Sequence, residues 1–187
     1  METLERLAVA LESRIPGTTG HSRRVAAYAG DLAQWLGLSR EQSTRVAQAG
    51  RVHDIGKTCV PGALLNKPGP LTSREQELVR QHAVTGAAMV AGLGDRALAA
   101  FVRHHHERFD GRGYPDRLVG EEIPLGARII AVADTFDALT SNRPYRRAIG
   151  QARALEVLGA EAGTQLDPEV VSSFGTRYSE VSYAVAL

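Results

Sequence analysis

Histidine and aspartate recur along this 187-residue chain at spacings that suit metal binding. All six histidines fall into a few groups, joined by two aspartates: His21, His53-Asp54, His82, His104-His105-His106 and Asp134. An ordinary core does not need so many imidazoles, since histidine is usually scattered and intermediate in burial. The pattern therefore predicts a metal site.

Adjacent ligand residues favour two ions over one. Neighbours on a helix point about 100° apart, so His53 and Asp54 would reach one ion and a position that bridges to a second. The hypothesis gives each ion four protein ligands: His21, His53, Asp54 and Asp134 for one, and Asp54, His82, His105 and His106 for the other. A bridging hydroxide and a substrate oxygen would complete the sixfold coordination that Fe, Mn or Ni accept.

The donor types indicate the chemistry. Imidazole mixed with carboxylate, and without thiolate, argues against a structural zinc site. Paired ions about 3.5–4 Å apart support in-line displacement at phosphorus, because they activate water and hold both oxygens. Phosphoester hydrolysis is the predicted reaction.

The composition predicts one soluble domain with a real core, since 43% of residues are hydrophobic and 23% are charged. The net charge of +1 gives no electrostatic footprint for polymeric nucleic acid. Cys59 is the single cysteine, and no N-terminal stretch resembles a targeting segment, so a cytoplasmic location is expected. The longest apolar stretch, residues 127–133, contains Arg128 and is far shorter than the roughly 20 residues of a membrane span.

Helices must position the candidate ligands. Apolar residues at helical spacing predict helices within residues 4–11 and 25–36. Capping boxes predict two more, which begin after Ser39 and Thr72, and the first of these should run to His53-Asp54.

The remaining elements are set by caps, prolines and glycines. A helix from about Asp95 should end in the histidine run, one from Pro124 should continue to Leu139, and Asp167-Pro168 should begin a short last helix. Residues 61–70 are predicted to form a loop with at most a short helical turn, and residues 110–124 a glycine-rich loop. Apolar residues alternate in the tail as they would in a strand, at Val181, Tyr183, Val185 and Leu187. A chain end can also fray or pack on a partner.

Several motifs in order carry a family resemblance. They are His53-Asp54-Ile55-Gly56-Lys57, the segment from His105-His106-Glu107 to Gly113-Tyr114-Pro115, Ala133-Asp134 with the residues to Ser141, and Arg143-Pro144-Tyr145-Arg146. Together they resemble the HD-GYP family of bacterial cyclic di-GMP phosphodiesterases. The match extends from Thr18 to Pro168, nearly the whole chain.

The resemblance implies an all-α, single-domain HD-type helical bundle over residues 1–187, with the tail from about 176 least defined. It implies the metal ligands His21, His53, Asp54, His82, His105, His106 and Asp134, and the nucleotide contacts Lys57, Tyr114, Arg143 and Arg146. Lys57 follows Asp54 by three residues, on the same helix face, and could meet a phosphate as a point charge. The arginine side chains offer planar guanidinium groups to phosphate or guanine edges, and the tyrosine ring offers a face for stacking.

Two further residues near these motifs have open roles. His104 lies outside the match and is interpreted as solvated or as supporting a ligand. Asp137 follows Asp134 by three residues and could orient a ligand, touch a third ion or pair with an arginine; we favour the first. His21 or His82 considered alone would more often be a hydrogen-bonded surface or core histidine than a metal ligand. The joint pattern of histidines and aspartates favours the ligand role instead.

The sequence thus predicts a two-metal phosphodiesterase that opens cyclic di-GMP to linear pGpG. Asp54 and Lys57 are the expected catalytic residues, with attack by a hydroxide that bridges the metals. A cyclic GMP-AMP substrate and a catalytically weak binding module are the alternatives, and a homodimer or a signalling protein remains open as partner. Family members of a three-metal type carry Glu four residues before the first metal histidine, where this chain has Gly17, so two metals are expected.

Overall fold

The computed structural model describes residues 1–143 and 146–185, with side chains described as far as Tyr178. Its described part contains α-helices and two short 3-10 segments, Ile55–Cys59 and Gly120–Glu122. The α-helices are α1 (Glu2–Glu12), α2 (His21–Trp35), α3 (Arg40–Val52), α4 (Gly62–Leu65), α5 (Ser73–Ala91), α6 (Arg96–His104), α7 (Leu125–Thr140), α8 (Gln151–Glu161) and α9 (Pro168–Val185). No strand occurs in this part, so the all-α prediction is confirmed.

Local hydrogen bonds cap several helices at the N-termini that the sequence predicts. The Ser39 hydroxyl accepts from the Gln42 amide at 3.2 Å, and the Gln42 side chain accepts from the Ser39 amide at 2.9 Å. Thr72 caps α5 in the same way, and Asp95 accepts from the Leu98 amide. Each cap satisfies amides that a helix leaves without an internal partner.

Two helix boundaries differ from the prediction. Helix α3 ends at Val52 and is followed by the 3-10 segment, so Asp54 and Lys57 lie on a tighter turn in which residues three apart align. Helix α9 is not short and includes the tail that alternates as a strand would, as far as Val185; Leu187 lies outside the described residues. Phe174 and Tyr178, one helical turn apart, both pack on Phe136, which favours the helix over the strand.

The core lies between α2, α3 and α7, and α2 packs against both of the others. Val25, Val46, Ile129 and Ile130 are fully buried there. Aromatic side chains from α2, α7 and α9 close one end of the core around Phe136. Because α2 and α7 also carry candidate ligands, the core fixes the relative positions of those ligands. No helix in the described residues is long and apolar enough to cross a membrane.

Candidate metal centre

The predicted metal ligands come from six elements and converge on one region. His21 is the first residue of α2, His53 follows the last residue of α3, and Asp54 precedes the 3-10 segment. The other four follow in chain order, in or directly after α5, α6 and α7: His82, His105, His106 and Asp134.

Asp54 lies at the middle of this region. Its Oδ1 is 3.3 Å from His82 Nε2 and its Oδ2 is 3.5 Å from His53 Nε2. Two sets of potential ligand atoms, each within 4.8 Å of one another, share it: Asp54, His82, His105 and His106, and His21, His53 and Asp54. The structure thus brings six of the seven predicted residues together in two groups that share Asp54. Asp134 belongs to neither set by this distance, although its Oδ1 is 3.4 Å from His21 Nε2.

Backbone carbonyls orient three of the imidazoles. The Nδ1 atoms of His53, His82 and His105 each contact the carbonyl three residues earlier, at 2.8, 2.6 and 2.7 Å. These contacts leave Nε2 as the atom that faces Asp54, as the short Nε2 distances of His53 and His82 show. An imidazole held through one nitrogen presents the lone pair of the other to a metal.

Asp137 orients His21, as favoured above. Its carboxylate is buried and lies 2.7 Å from His21 Nδ1. Arg24 donates to both oxygens of the same carboxylate. The Asp137 oxygens are therefore already engaged, which leaves His21 Nε2 directed towards Asp134.

The electrostatics favour the metal-binding protonation states at four of the predicted ligands, whereas at His21 burial is outweighed by Asp137 and nearby carboxylates, which raise the pKa. Burial lowers the pKa of His53 and, together with neighbouring imidazoles, lowers the pKa of His105 well below its usual range and that of His106 to about 3. Burial alone would raise the pKa of Asp54, but Lys57 and nearby histidines outweigh it and bring that pKa well below the usual range. Neutral imidazole and ionised carboxylate are the forms that ligate metals.

The site has the polar atoms that a cation would satisfy. His53 Nε2 and Asp54 Oδ1 are buried and have no hydrogen-bond partner among the residues the structure describes. An unsatisfied buried polar atom costs about 1–3 kcal/mol, and these two face the middle of the ligand sets. A divalent metal fits both the donor types and the unsatisfied atoms.

A tight backbone approach holds Asp54 and Lys57 against α5. A Cβ added at Gly56 would lie 2.0 Å from the carbonyl oxygen of His82, so only glycine fits between the 3-10 segment and the helix. Lys57 Nζ, on this segment, is 2.6 Å from Asp54 Oδ2.

The predicted nucleotide contacts lie on two sides of the centre. Lys57 and Arg143 line one cavity together with His21 and Asp54. Arg146 lines a neighbouring cavity with Arg143 and donates to the carbonyl of Ala138. Residues 144 and 145 of this motif lie outside the described residues.

Tyr114 lies on the other side of the centre, stacked on His106 with ring centroids 4.9 Å apart. The loop around it is held by Glu107, whose Oε1 accepts from the amides of Asp116 and Arg117. His104 Nε2 lies 2.8 Å from Asp116 Oδ2. His104 is thus outside both ligand sets, as expected, and its side chain is 13% exposed, so it is only partly solvated.

A family model described as HD domain matches residues 5–170 of the chain. The chain belongs to the HD domain family. Its resemblance to the HD-GYP group, drawn above from the motifs, is confirmed by the relatives that this HD domain matches.

One relative of the HD domain is the cyclic di-GMP phosphodiesterase response regulator RpfG of Xanthomonas campestris, 45% identical over 92% of this chain and 46% of the relative. Another is the 3'3'-cGAMP-specific phosphodiesterase 2 of Vibrio cholerae, 35% identical over 91% of this chain and 33% of the relative. The chain therefore spans less than half the length of these relatives.

A solved structure shows the same fold. The cyclic GMP-AMP specific phosphodiesterase V-cGAP3 of V. cholerae superposes with a TM-score of 0.73, covering 95% of this HD domain and 48% of that chain, at 20% identity. At this identity the likeness supports the fold only.

Sequence patterns missed one buried residue of the HD domain. Glu12, at the end of α1, accepts at 2.6 Å from the amide of Gly20 and at 2.6 Å from that of Ser22, the two neighbours of His21. It caps α2 from another helix, since Gly20 offers no side chain. The residues alone give no local signal for this contact, because eight or more residues separate the partners and no helix-capping motif joins them.

Proposed function

We propose that this HD domain, residues 1–187, is a metal-dependent phosphodiesterase that hydrolyses cyclic di-GMP to linear pGpG. The observation that carries the proposal is a carboxylate shared by two sets of metal ligands, with a lysine ammonium 2.6 Å away at the edge of a cavity. The relative named as a cyclic di-GMP phosphodiesterase, at 45% identity, favours this substrate. We also infer that the domain acts in the cytoplasm, as expected above.

Two divalent transition metals, Fe, Mn or Ni, suit the donor set. The first would be held by His21, His53, Asp54 and Asp134, and the second by Asp54, His82, His105 and His106. When bound, such a pair supplies an activated water and Lewis acidity towards a phosphate oxygen.

The side chains of this chain account for the rest of the proposed reaction. Lys57 is ion-paired to Asp54 and lines the cavity, so its ammonium can stabilise charge that develops on the phosphoryl oxygens. Arg143 lines the same cavity, and its Nε is buried without a hydrogen-bond partner in the described residues. We assign it to a phosphate or a guanine edge. Among the described residues we assign no side chain as acid for the leaving 3′ oxygen, and give that role to water.

Cyclic GMP-AMP is the second candidate substrate. A relative named as specific for 3'3'-cGAMP is 35% identical over 91% of this chain. Both dinucleotides have the same phosphodiester ring and differ at one base, so the metal ligands and Lys57 do not separate them. The third candidate function is that of a binding module without catalysis.

One experiment separates these candidates. Metal is quantified in the purified protein, and hydrolysis of cyclic di-GMP and 3'3'-cGAMP is followed by chromatography. We expect two metals per chain and accumulation of pGpG, because Gly17 offers no carboxylate to a third ion. Preferential cleavage of 3'3'-cGAMP would select the second candidate, and two bound metals without cleavage of either would select the binding module. Three metals with rapid GMP formation would contradict the two-ion proposal.

A further inference from the structure

A basic cavity adjoins the metal centre on the side of Tyr114. The cavity has a volume of about 490 Å³, and three guanidinium groups line it against one carboxylate: Arg80, Arg112, Arg117 and Glu77. No hydrogen bond or ion pair from the three guanidinium groups to another described residue is present. Several arginines elsewhere are neutralised by carboxylates, as Arg103 is by Asp116 and Arg128 by Asp167. The lining of the cavity therefore has a net positive charge, with three guanidinium groups against the one carboxylate of Glu77, although Asp110 lies near enough to Arg112 to interact with it electrostatically.

The ring of Tyr114 lies between the basic cavity and the candidate metal ligand His106. The Arg80 guanidinium carbon lies 5.2 Å from the centre of the Tyr114 ring, and that ring stacks on His106. Arg80, Arg112 and Tyr114 also line the cavity that contains His106 and Asp134. A ligand at the metal centre can thus extend past Tyr114 into the basic cavity.

A packing role alone does not explain Arg80. An exposed cation over an aromatic ring contributes only about 0.5–1 kcal/mol, and Arg80 is exposed. Its N–H groups lack protein acceptors in the described structure, while planar guanidinium groups match phosphate oxygens well.

We propose that Arg80 and Arg112, placed beside Tyr114, form a subsite for the second phosphate of the substrate. This rests on the proposed function, since a cyclic dinucleotide carries two phosphates in one ring and only one of them is cleaved at a time. Lys57 and Arg143 serve the phosphate at the metal centre from one side. Arg80 and Arg112 hold the other phosphate from the opposite side, and so select a dinucleotide over a simple phosphodiester.

The test compares a substrate with two phosphates and one with a single phosphate. Steady-state kinetics of the metal-loaded full chain are measured with cyclic di-GMP and with bis(p-nitrophenyl) phosphate. In Arg80→Gln, kcat/KM for cyclic di-GMP should fall relative to that for bis(p-nitrophenyl) phosphate by about tenfold or more, mainly through KM. Glu77→Gln removes the one carboxylate that the described residues contribute to the cavity lining and should lower KM for cyclic di-GMP. Arg40→Gln, an exposed arginine of another cavity, is the matched control and should change neither.

Equal losses for both substrates in Arg80→Gln would overturn the subsite, because Arg80 would then act through Tyr114 on the metal centre. Unchanged kinetics for both would also overturn it. If the wild type hydrolyses no cyclic dinucleotide, the proposed function fails separately. Calorimetric titration with cyclic di-GMP then tests the subsite, since weaker binding to Arg80→Gln supports it and equal binding rejects it.

Discussion

At the scale of single residues, Asp54 joins the two candidate metal groups. It provides an oxygen to each set of ligand atoms, while every other member contributes to one set only. Its Oδ1 is buried without a hydrogen-bond partner among the described residues. Removing this carboxylate should therefore affect both metals together.

For Asp54→Ala, we expect loss of both metals and of all hydrolysis with the helical fold retained. Metal quantification, chromatography of the products and far-ultraviolet circular dichroism measure these three properties. Asp116→Ala is the control, because that carboxylate pairs with Arg103 and His104 outside the ligand sets. Turnover near the wild-type rate with full metal content would exclude the shared-carboxylate model.

Lys57 permits a matched comparison, because the chain has one other lysine, Lys67. Lys57→Ala should retain metal but lower kcat by about tenfold or more, or about 1.4 kcal/mol of transition-state stabilisation. Lys67 pairs with Glu75 and lines none of the cavities at the metal centre, so Lys67→Ala should keep the wild-type kcat. Identical kinetics in the two variants would make Lys57 a surface charge.

At the scale of elements, the ends of helices determine where the ligands point. His53 and His105 immediately follow the last residues of α3 and α6 and use carbonyls of the last turn to fix their rings. His21 begins α2, where the free groups are amides, and Glu12 of α1 accepts from those on either side of it. The position of His21 thus depends on the contact between α1 and α2.

Glu12→Gln tests this dependence. A glutamine side chain has one acceptor oxygen, so one of the two amides beside His21 would face an NH₂ group and lose its bond at a cost of about 1–3 kcal/mol. We expect the affinity for the metal held by His21 to fall by about tenfold, while the group around His82 keeps its metal.

Equilibrium metal titration with quantification per chain measures the effect of Glu12→Gln. Glu2→Gln, at the exposed start of the same helix, should bind two metals as the wild type does. If Glu12→Gln also binds both with unchanged affinity, Glu12 has a structural role only.

At the scale of the whole molecule, the candidate metal ligands connect distant parts of the chain. They lie on α2, α5, α7 and the segments after α3 and α6, and span residues 21–134. Metal bound there would link these elements in the folded state alone. Any ligand that binds the native state preferentially stabilises it in proportion to the logarithm of its concentration over Kd.

Metal removal should therefore lower thermal stability. We expect the free energy of unfolding with chelator to be about 2.7 kcal/mol or more below its value at a metal concentration of a hundred times Kd. Differential scanning calorimetry with and without chelator gives the value, and Asp54→Ala should show no dependence on the chelator. A wild-type melting temperature that does not change with metal would argue against a site that bridges these helices.

The sequence alone determined the features that depend on local patterns. Capping boxes at Ser39 and Thr72 depend on residues three apart. The order of the histidine and aspartate motifs, through its resemblance to a known family, predicted the HD fold and a candidate ligand set. The length of α9 was not predictable, because alternation in the tail competed with its packing against Phe136.

Only the tertiary structure decided the contacts between residues far apart in the chain. Glu12 beside His21, Asp137 behind His21, and Arg80 over Tyr114 join separate elements without a periodic signal. It also placed Tyr114 and Lys57 on different sides of the centre. The physical reason is that local hydrogen bonds and hydrophobic periodicity act within one element, whereas a site assembled from six elements depends on how their buried faces pack.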